Sequence, residues 1–396
     1  MANTLSAFTP EYWSKRVQVL LSKTLVSSQI ASFEERSNLR NGDTIHRPRY
    51  SDVTVASYTK GTAFTVQDVT ATDETLVVNQ SKVVPVFVDR DDEVQNKYSA
   101  ANEYTRRMSY ALAEDIDSAF FREVANANLT LDDGDLGGTA GVPATLTAAT
   151  ALNVFSTAYA KLSSNNVESD RAWALVLDPI HISQIQQSSI ANGFNVSDSM
   201  LRNGFVSADY LGFKVLMSNN LRSSGSLGIA TNPTANDTVT IQGVTFTFVA
   251  TPAAAGDVDI GASAAVSVAN LTAAVNGGAG AGTTYIEVSS ANRTTLTNKH
   301  VVAVDNTTAM GLTASGRMTL LETLTAAGDV FATQAVNAVA MRTGAIDLVT
   351  QISPEINVSD AQPRGLIGKD FVGHTLYGLR TFTEGAERMV SIDIAV

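Results

Sequence analysis

The chain has 396 residues, 44% of them hydrophobic and 17% charged, with a formal net charge of −12 and no cysteine. That length allows two or three domains of roughly 100–200 residues each, and the missing cysteines exclude disulfides and thiolate metal sites. The acidic balance argues against a basic stripe that would grip nucleic acid by its phosphates, and the longest basic clusters are Arg47-Pro48-Arg49 and Arg106-Arg107.

The low charge implies a surface rich in Ser, Thr, Asn, Ala and Gly. Covering such a surface costs little desolvation, which suits extensive contacts between subunits. The N-terminus interrupts its apolar residues with Glu11, Lys15 and Arg16, unlike a signal peptide. No apolar run reaches the roughly 18 residues of a membrane span, so no membrane partner is expected.

Residues Thr9 to Leu25 read as an amphipathic helix opened by Thr9-Pro10-Glu11. Its apolar face, led by Tyr12 and Trp13, needs a surface to dock on, in its own domain or on a neighbour. From Gly42 to Pro85 the chain alternates like strands, at 44–48, 53–58, 75–80 and 82–88, around a polar stretch at 67–73. This predicts a long hairpin. A hairpin alone is marginal in water, so a projecting one needs support from another chain.

Carboxylates at Asp89, Asp91, Asp92 and Glu93 then start a helix expected over Asp91–Ala127. Its apolar residues, from Val94 through Met108, Leu112, Ile116 and Phe120 to Val124, recur every three or four positions. About 36 residues would make a rod of roughly 54 Å. The sequence Leu131-Asp132-Asp133-Gly134-Asp135 breaks it. Helices are expected at 148–162 and 181–187, and strands at 171–177 and 213–217. The block 225–327 carries few charges and a tight-hairpin signal, Gln242-Gly243, between 238–241 and 244–249. A helix at 262–275 and strands at 285–288 and 301–304 complete a small α+β domain set into a loop. Alternation at 336–349 and strands within 371–396 close the chain.

No chemistry-bearing motif emerges. There is no G-x-S-x-G and no P-loop. His46, His181, His300 and His374 share no metal spacing. The Asp132–Asp135 run lacks the closing Glu of a calcium loop. Glu114, Asp115 and Asp117 read as the solvent side of the long helix. No enzyme activity, metal or cofactor is expected.

The order of arm, extended loop, acidic-started helix, α/β domain and closing strands resembles the major capsid (coat) protein of tailed double-stranded DNA phages. The stretch VPVFVDRDDEVQNKYSAANEYTRRMSYALAEDIDSAFF looks like that family's strand-to-spine junction. NGFVSADYLGFKVLMSNNL looks like its axial stretch. The interruption after Leu221 sits where one branch carries an inserted domain. The resemblance implies an α+β shell fold with an N-terminal arm (1–41), an E-loop (42–88) and a peripheral domain with the spine helix (89–145). It further implies an axial domain (146–224 and 328–355), a β-rich insertion domain (225–327) and peripheral terminal strands (356–396). It implies a homo-oligomer of pentamers and hexamers in a closed icosahedral shell around double-stranded DNA, touched weakly and non-specifically. Scaffolding and portal proteins and a decoration protein are implied partners, with assembly in the host cytoplasm and residence in the virion. The arm carries no long charged coiled coil, which points to a separate scaffold.

Under this resemblance Tyr12, Trp13, Lys60, Val66, Val69, Leu76, Val78 and Val84 are candidate assembly contacts. Some family members cross-link a loop lysine, although a solvated Lys60 is the plainer reading. Gly42, Gly61 and Gly365 are candidate hinges or ordinary turns. An encapsulin-type compartment shell and a phage tail or surface-adhesion protein are the alternatives.

Overall fold

A computed structural model describes residues 25–34, 42–95, 100–147, 149–168, 172–191, 209–210, 212–325, 329–362 and 365–396. Most of the expected first helix, with Tyr12 and Trp13, lies outside the described residues.

After α1 (Ser27–Ile30) come β1 (Thr44–Tyr50), β2 (Ala71–Val77) and β3 (Gln80–Asp89). Helical residues follow in α2 (Arg90–Gln95) and α3 (Ala100–Arg122), which tightens into a 3₁₀ turn at Glu123–Asn126 and leads to β4 (Leu129–Leu131). An α/β unit is built from α4 (Ala151–Ser164), β5 (Trp173–Leu177), α5 (Pro179–Ala191), β6 (Asp209–Tyr210) and β7 (Phe213–Met217). Strand β8 (Arg222–Gly228) enters a block of β9 (Thr238–Ile241), β10 (Val244–Val249), β11 (Asp257–Asp259), α6 (Ala264–Asn276) and α7 (Ser290–Asn298). The block continues through β12 (Val302–Asp305), β13 (Ala309–Ser315) and β14 (Leu320–Glu322). Finally come β15 (Phe331–Arg342), β16 (Asp347–Asp360), β17 (Gly368–Arg380), α8 (Thr383–Glu387) and β18 (Met389–Ala395).

A nine-stranded sheet forms the frame, in the order β12-β13-β8-β15-β5-β7-β6, with β18 on β15 and β4 on β18. Strand β15 is its centre. It runs antiparallel to β18 along one edge and to β8 and then β5 along the other. All five residues of β5 are buried because both its faces are covered. Trp173, Leu175 and Leu177 join Phe155 and Leu162 of α4 in one core, while Ala174 and Val176 join Phe120, Phe121 and Ile30 in another. Continuous burial on both faces is why this strand reads as an unbroken apolar run.

The peripheral sheet, β16-β17-β3, is antiparallel and packs on α3 through Val88, Met108 and Phe371. At Gly378 an added Cβ would lie 2.6 Å from the Val77 carbonyl oxygen, so only glycine lets the β2–β3 corner approach β17.

The structure departs from the sequence expectations at several points. The hairpin is shorter than its alternation suggested: β1 pairs with β2, with Thr44 opposite Val77 and Tyr50 opposite Ala71, and β3 leaves to pair with β17. Residues 51–70 form no strand and are exposed throughout, because their alternation has no surface within this chain to bury against. Gly225, the expected start of the block, lies inside β8. Strands β12 and β13 extend the frame sheet through that strand. Its other strands do make a sheet of their own, β11-β10-β9-β14, over a core containing Phe246, Phe248, Leu271 and Tyr285. The expected strand 285–288 forms only isolated bridges. The 355/356 boundary likewise falls inside β16.

Candidate assembly surface

The loop 51–70 rises from a root that is fixed from several directions. Arg47 of β1 pairs with Asp347 at 3.0 Å and lies over the Phe382 ring, its guanidinium carbon 4.1 Å from the centroid. Asp347 is almost fully buried, so this pair is screened far less than a surface one. Arg49 meets Glu387 at 3.1 Å, with both side chains largely in water, and contributes little. Above the root, Ser51 N–H donates to the Thr70 carbonyl at 2.9 Å, and Gln67 brackets Thr54 with its amide.

Glu74 of β2 accepts from the Thr383 backbone N–H at 3.0 Å and from the Thr383 hydroxyl. These hydrogen bonds hold its carboxyl below the usual carboxylate range. A depressed carboxyl stabilises above its ordinary pKa and loses that contribution as pH falls through the lowered one. The root should therefore loosen only in acid. Thr383→Val, which removes one donor, should move that loosening to higher pH. Hydrogen exchange of 44–50 and 71–77 between pH 7 and pH 3 measures it, and a pH profile unchanged by the substitution would dismiss Glu74 as the cause.

The side chains carried by the loop are apolar and bare. Val55 is 102% exposed, Val66 76%, Phe64 73%, Val53 72% and Tyr58 67%. Single exposed apolar residues are ordinary, but a run of them on one projecting loop marks an interaction surface. Of the sequence candidates, Val66 and Val69 belong to this exposed set, and Lys60 is an exposed residue at its turn. Leu76 and Val78 are buried within the chain, and Val84 is half-buried. Leu76 and Val78 pack with Val349 and Phe382 and serve the chain's own core, while Val84 packs partly against the cluster of Val88, Met108 and Phe371. Gly42, Gly61 and Gly365 adopt φ of +104°, +87° and +75° with nothing within 4 Å of an added Cβ. Val53, Val55, Tyr58 and Phe64, equally exposed, are not among the sequence candidates, since the alternation at 53–58 suggests only a strand.

The spine helix α3 joins the parts. Asp117, expected on its solvent side, is fully buried. Its Oδ1 accepts from the backbone N–H groups of Val26 (2.9 Å) and Ser27 (2.8 Å), and its Oδ2 from the Asn220 amide (2.8 Å). One carboxylate thus caps α1 and holds the segment before β8. Asp115 accepts from the Tyr377 hydroxyl at 2.6 Å, with Lys82 at 3.8 Å and His300 of the block at 3.6 Å. Burial and then the Asp115 contact push the Tyr377 phenol far above its usual range, so it remains a donor. Burial, then Arg122, push the His300 imidazole down.

The acidic groups among the described residues make structural contacts. The Asp132–Asp135 run staples its own loop: Asp132 accepts from Gly134 N–H at 2.9 Å, Asp133 from Thr139 N–H at 2.9 Å, and Asp135 pairs with Lys161 at 2.7 Å. An open cleft beside the root has its charges paired, Arg47 with Asp347 and Arg388 with Glu384. Among the described residues no three His, Asp or Glu are placed to hold a metal ion, and no helix is long and apolar enough to cross a membrane.

This is the fold of phage capsid subunits. A chain from Mycobacterium phage Che8 superposes with a TM-score of 0.58 at 16% identity, covering 97% of this chain and 96% of that one. The capsid of cyanophage P-SCSP1u gives 0.57 at 13% identity over 100% and 95%, and the mature capsid of bacteriophage PhiM1 gives 0.54 at 12% over 98% and 92%. No curated protein matches the sequence. The phage capsid protein family model matches residues 50–260, more than half of the chain, and the chain belongs to that family. It is a structural, shell-forming subunit of a virion capsid.

Proposed function

We propose that copies of this chain assemble as pentamers and hexamers into a closed icosahedral shell around double-stranded DNA, with the loop 51–70 of each copy lying on its neighbour. The observation that carries this reading is the exposed apolar run from Val53 to Val69 above a root fixed by Arg47, Asp347, Glu74 and Phe382. A rigidly rooted loop presenting apolar side chains gains its stability when another copy covers it. Closure of the shell multiplies individually modest contacts. The net charge of −12 suits a wall that touches packaged DNA without gripping it. A scaffold and a portal serve assembly in the host cytoplasm. Gly42, Gly61 and Gly365 absorb the differences between lattice positions, and the block serves as an outward-facing insertion.

Electron microscopy with light scattering on the purified protein tests the reading. Closed shells or rings of five and six are expected. A monomer that also fails to assemble when coexpressed with its neighbouring gene products would overturn it.

A further inference from the structure

The nine-stranded sheet ends at β12, and a free sheet edge is a template for another strand. In an antiparallel ladder alternate residues direct their N–H and C=O groups to opposite edges. Those of Ala303 face away from β13, and both are taken by one side chain. Ala303 N–H donates to Asn276 Oδ1 at 2.9 Å, and Asn276 Nδ2 donates to the Ala303 carbonyl at 2.7 Å. The carboxamide reproduces the acceptor and donor that a neighbouring strand would supply. Two residues earlier, Val301 N–H donates to the Leu296 carbonyl at 3.0 Å.

We infer that Asn276 closes this edge and so denies strand addition at β12 to another copy of the chain. The side chains show what the closure restrains. Val302 and Val304 are 46% and 52% exposed, Ala303 is buried, and no charge intervenes from Val301 to Val304. The segment is self-complementary when paired antiparallel about Ala303. Val302 then faces Val304 of the second copy, and Asp305 faces Val301, so no carboxylates meet. Asn276 is also held in place. It is the last residue of α6, followed by Gly277 at φ +65°. The Arg293 guanidinium binds the Val275 and Ala274 carbonyls at 2.6 and 2.8 Å. The edge would attract another copy whether or not the chain builds shells, and crowding within a shell would make it worse.

The absence of native cysteine gives a direct test. Pairing about Ala303 makes Val302 and the second copy's Val304 a non-hydrogen-bonded pair, with Cα atoms about 4.5 Å apart and within disulfide reach. Full-length Val302→Cys/Val304→Cys protein is oxidised and run on a non-reducing gel, with and without Asn276→Ala. Losing the two hydrogen bonds should raise the cross-linked dimer at least about tenfold. Adding Ala303→Pro, which removes the N–H, should abolish the gain. Hydrogen exchange of 238–249 checks that the block stays folded. If Asn276→Ala loosens it, Asn276→Asp, which keeps the acceptor and loses the donor, makes the same comparison. Equal cross-linking with and without Asn276 in a folded block, or a gain that survives Ala303→Pro, would overturn the inference.

Discussion

Asp117→Ala should destabilise the isolated subunit by roughly 3–5 kcal/mol, because it removes the buried carboxylate that accepts from two backbone N–H groups and from the Asn220 amide. The damage should be local at first. Residues 26–34 should lose exchange protection before the rest, since Asp117 is what caps α1. Asp117→Asn should cost much less, because its oxygen still accepts from Val26 and Ser27 while Asn220 turns its own amide to accept from the new donor. Thermal or urea unfolding of the two variants measures the difference. Midpoints for both variants indistinguishable from the parent would show that the three hydrogen bonds hold nothing.

Replacing residues 53–68 by an Asn-Gly turn should leave the fold intact and abolish shells. The two chain segments are already joined there by the Ser51–Thr70 hydrogen bond, and Asn-Gly suits a two-residue hairpin connection. The removed side chains touch no core cluster, so stability should change by less than about 0.5 kcal/mol, as for other surface changes. Light scattering and microscopy of the parent and shortened chains make the comparison. Shells at the parent yield would show that the loop is not an assembly contact and would send the proposed function back to the sheet faces.

The sequence was most legible where one chain segment determines its own environment. Acidic residues at 89–93 and the apolar spacing from Met108 to Val124 revealed the spine. The turn at Gln242-Gly243 was legible because both residues adopt positive φ, the geometry that a tight hairpin requires. It was least legible where distant segments decide. Strand β8, Arg-Ser-Ser-Gly-Ser-Leu-Gly, has one large apolar residue and was passed over, yet it lies between β13 and β15 and carries the frame sheet into the block. Asp117 looked solvated because nothing local shows that α1 and Asn220 converge on it. Leu76 and Val78 looked like contact residues because their partners, Val349 and Phe382, lie far along the chain. The exposed loop misleads in the opposite sense: its strand-like alternation suggests a strand, although the single chain offers no surface that would select that conformation.

The position of β18 has a consequence for the timing of synthesis. It lies against residues 335–341 of the central strand β15 and also carries β4, so the frame sheet cannot close until residue 395 has left the ribosome. A nascent chain that has reached only β17 still presents one edge of β15 unpaired, with the apolar residues of both cores uncovered. Subunits crowded on one messenger are thereby kept from adopting their finished surfaces while still tethered. The same arrangement makes the growing chain dependent on whatever shields that edge, which chaperone depletion during translation would expose as aggregation of ribosome-bound chains.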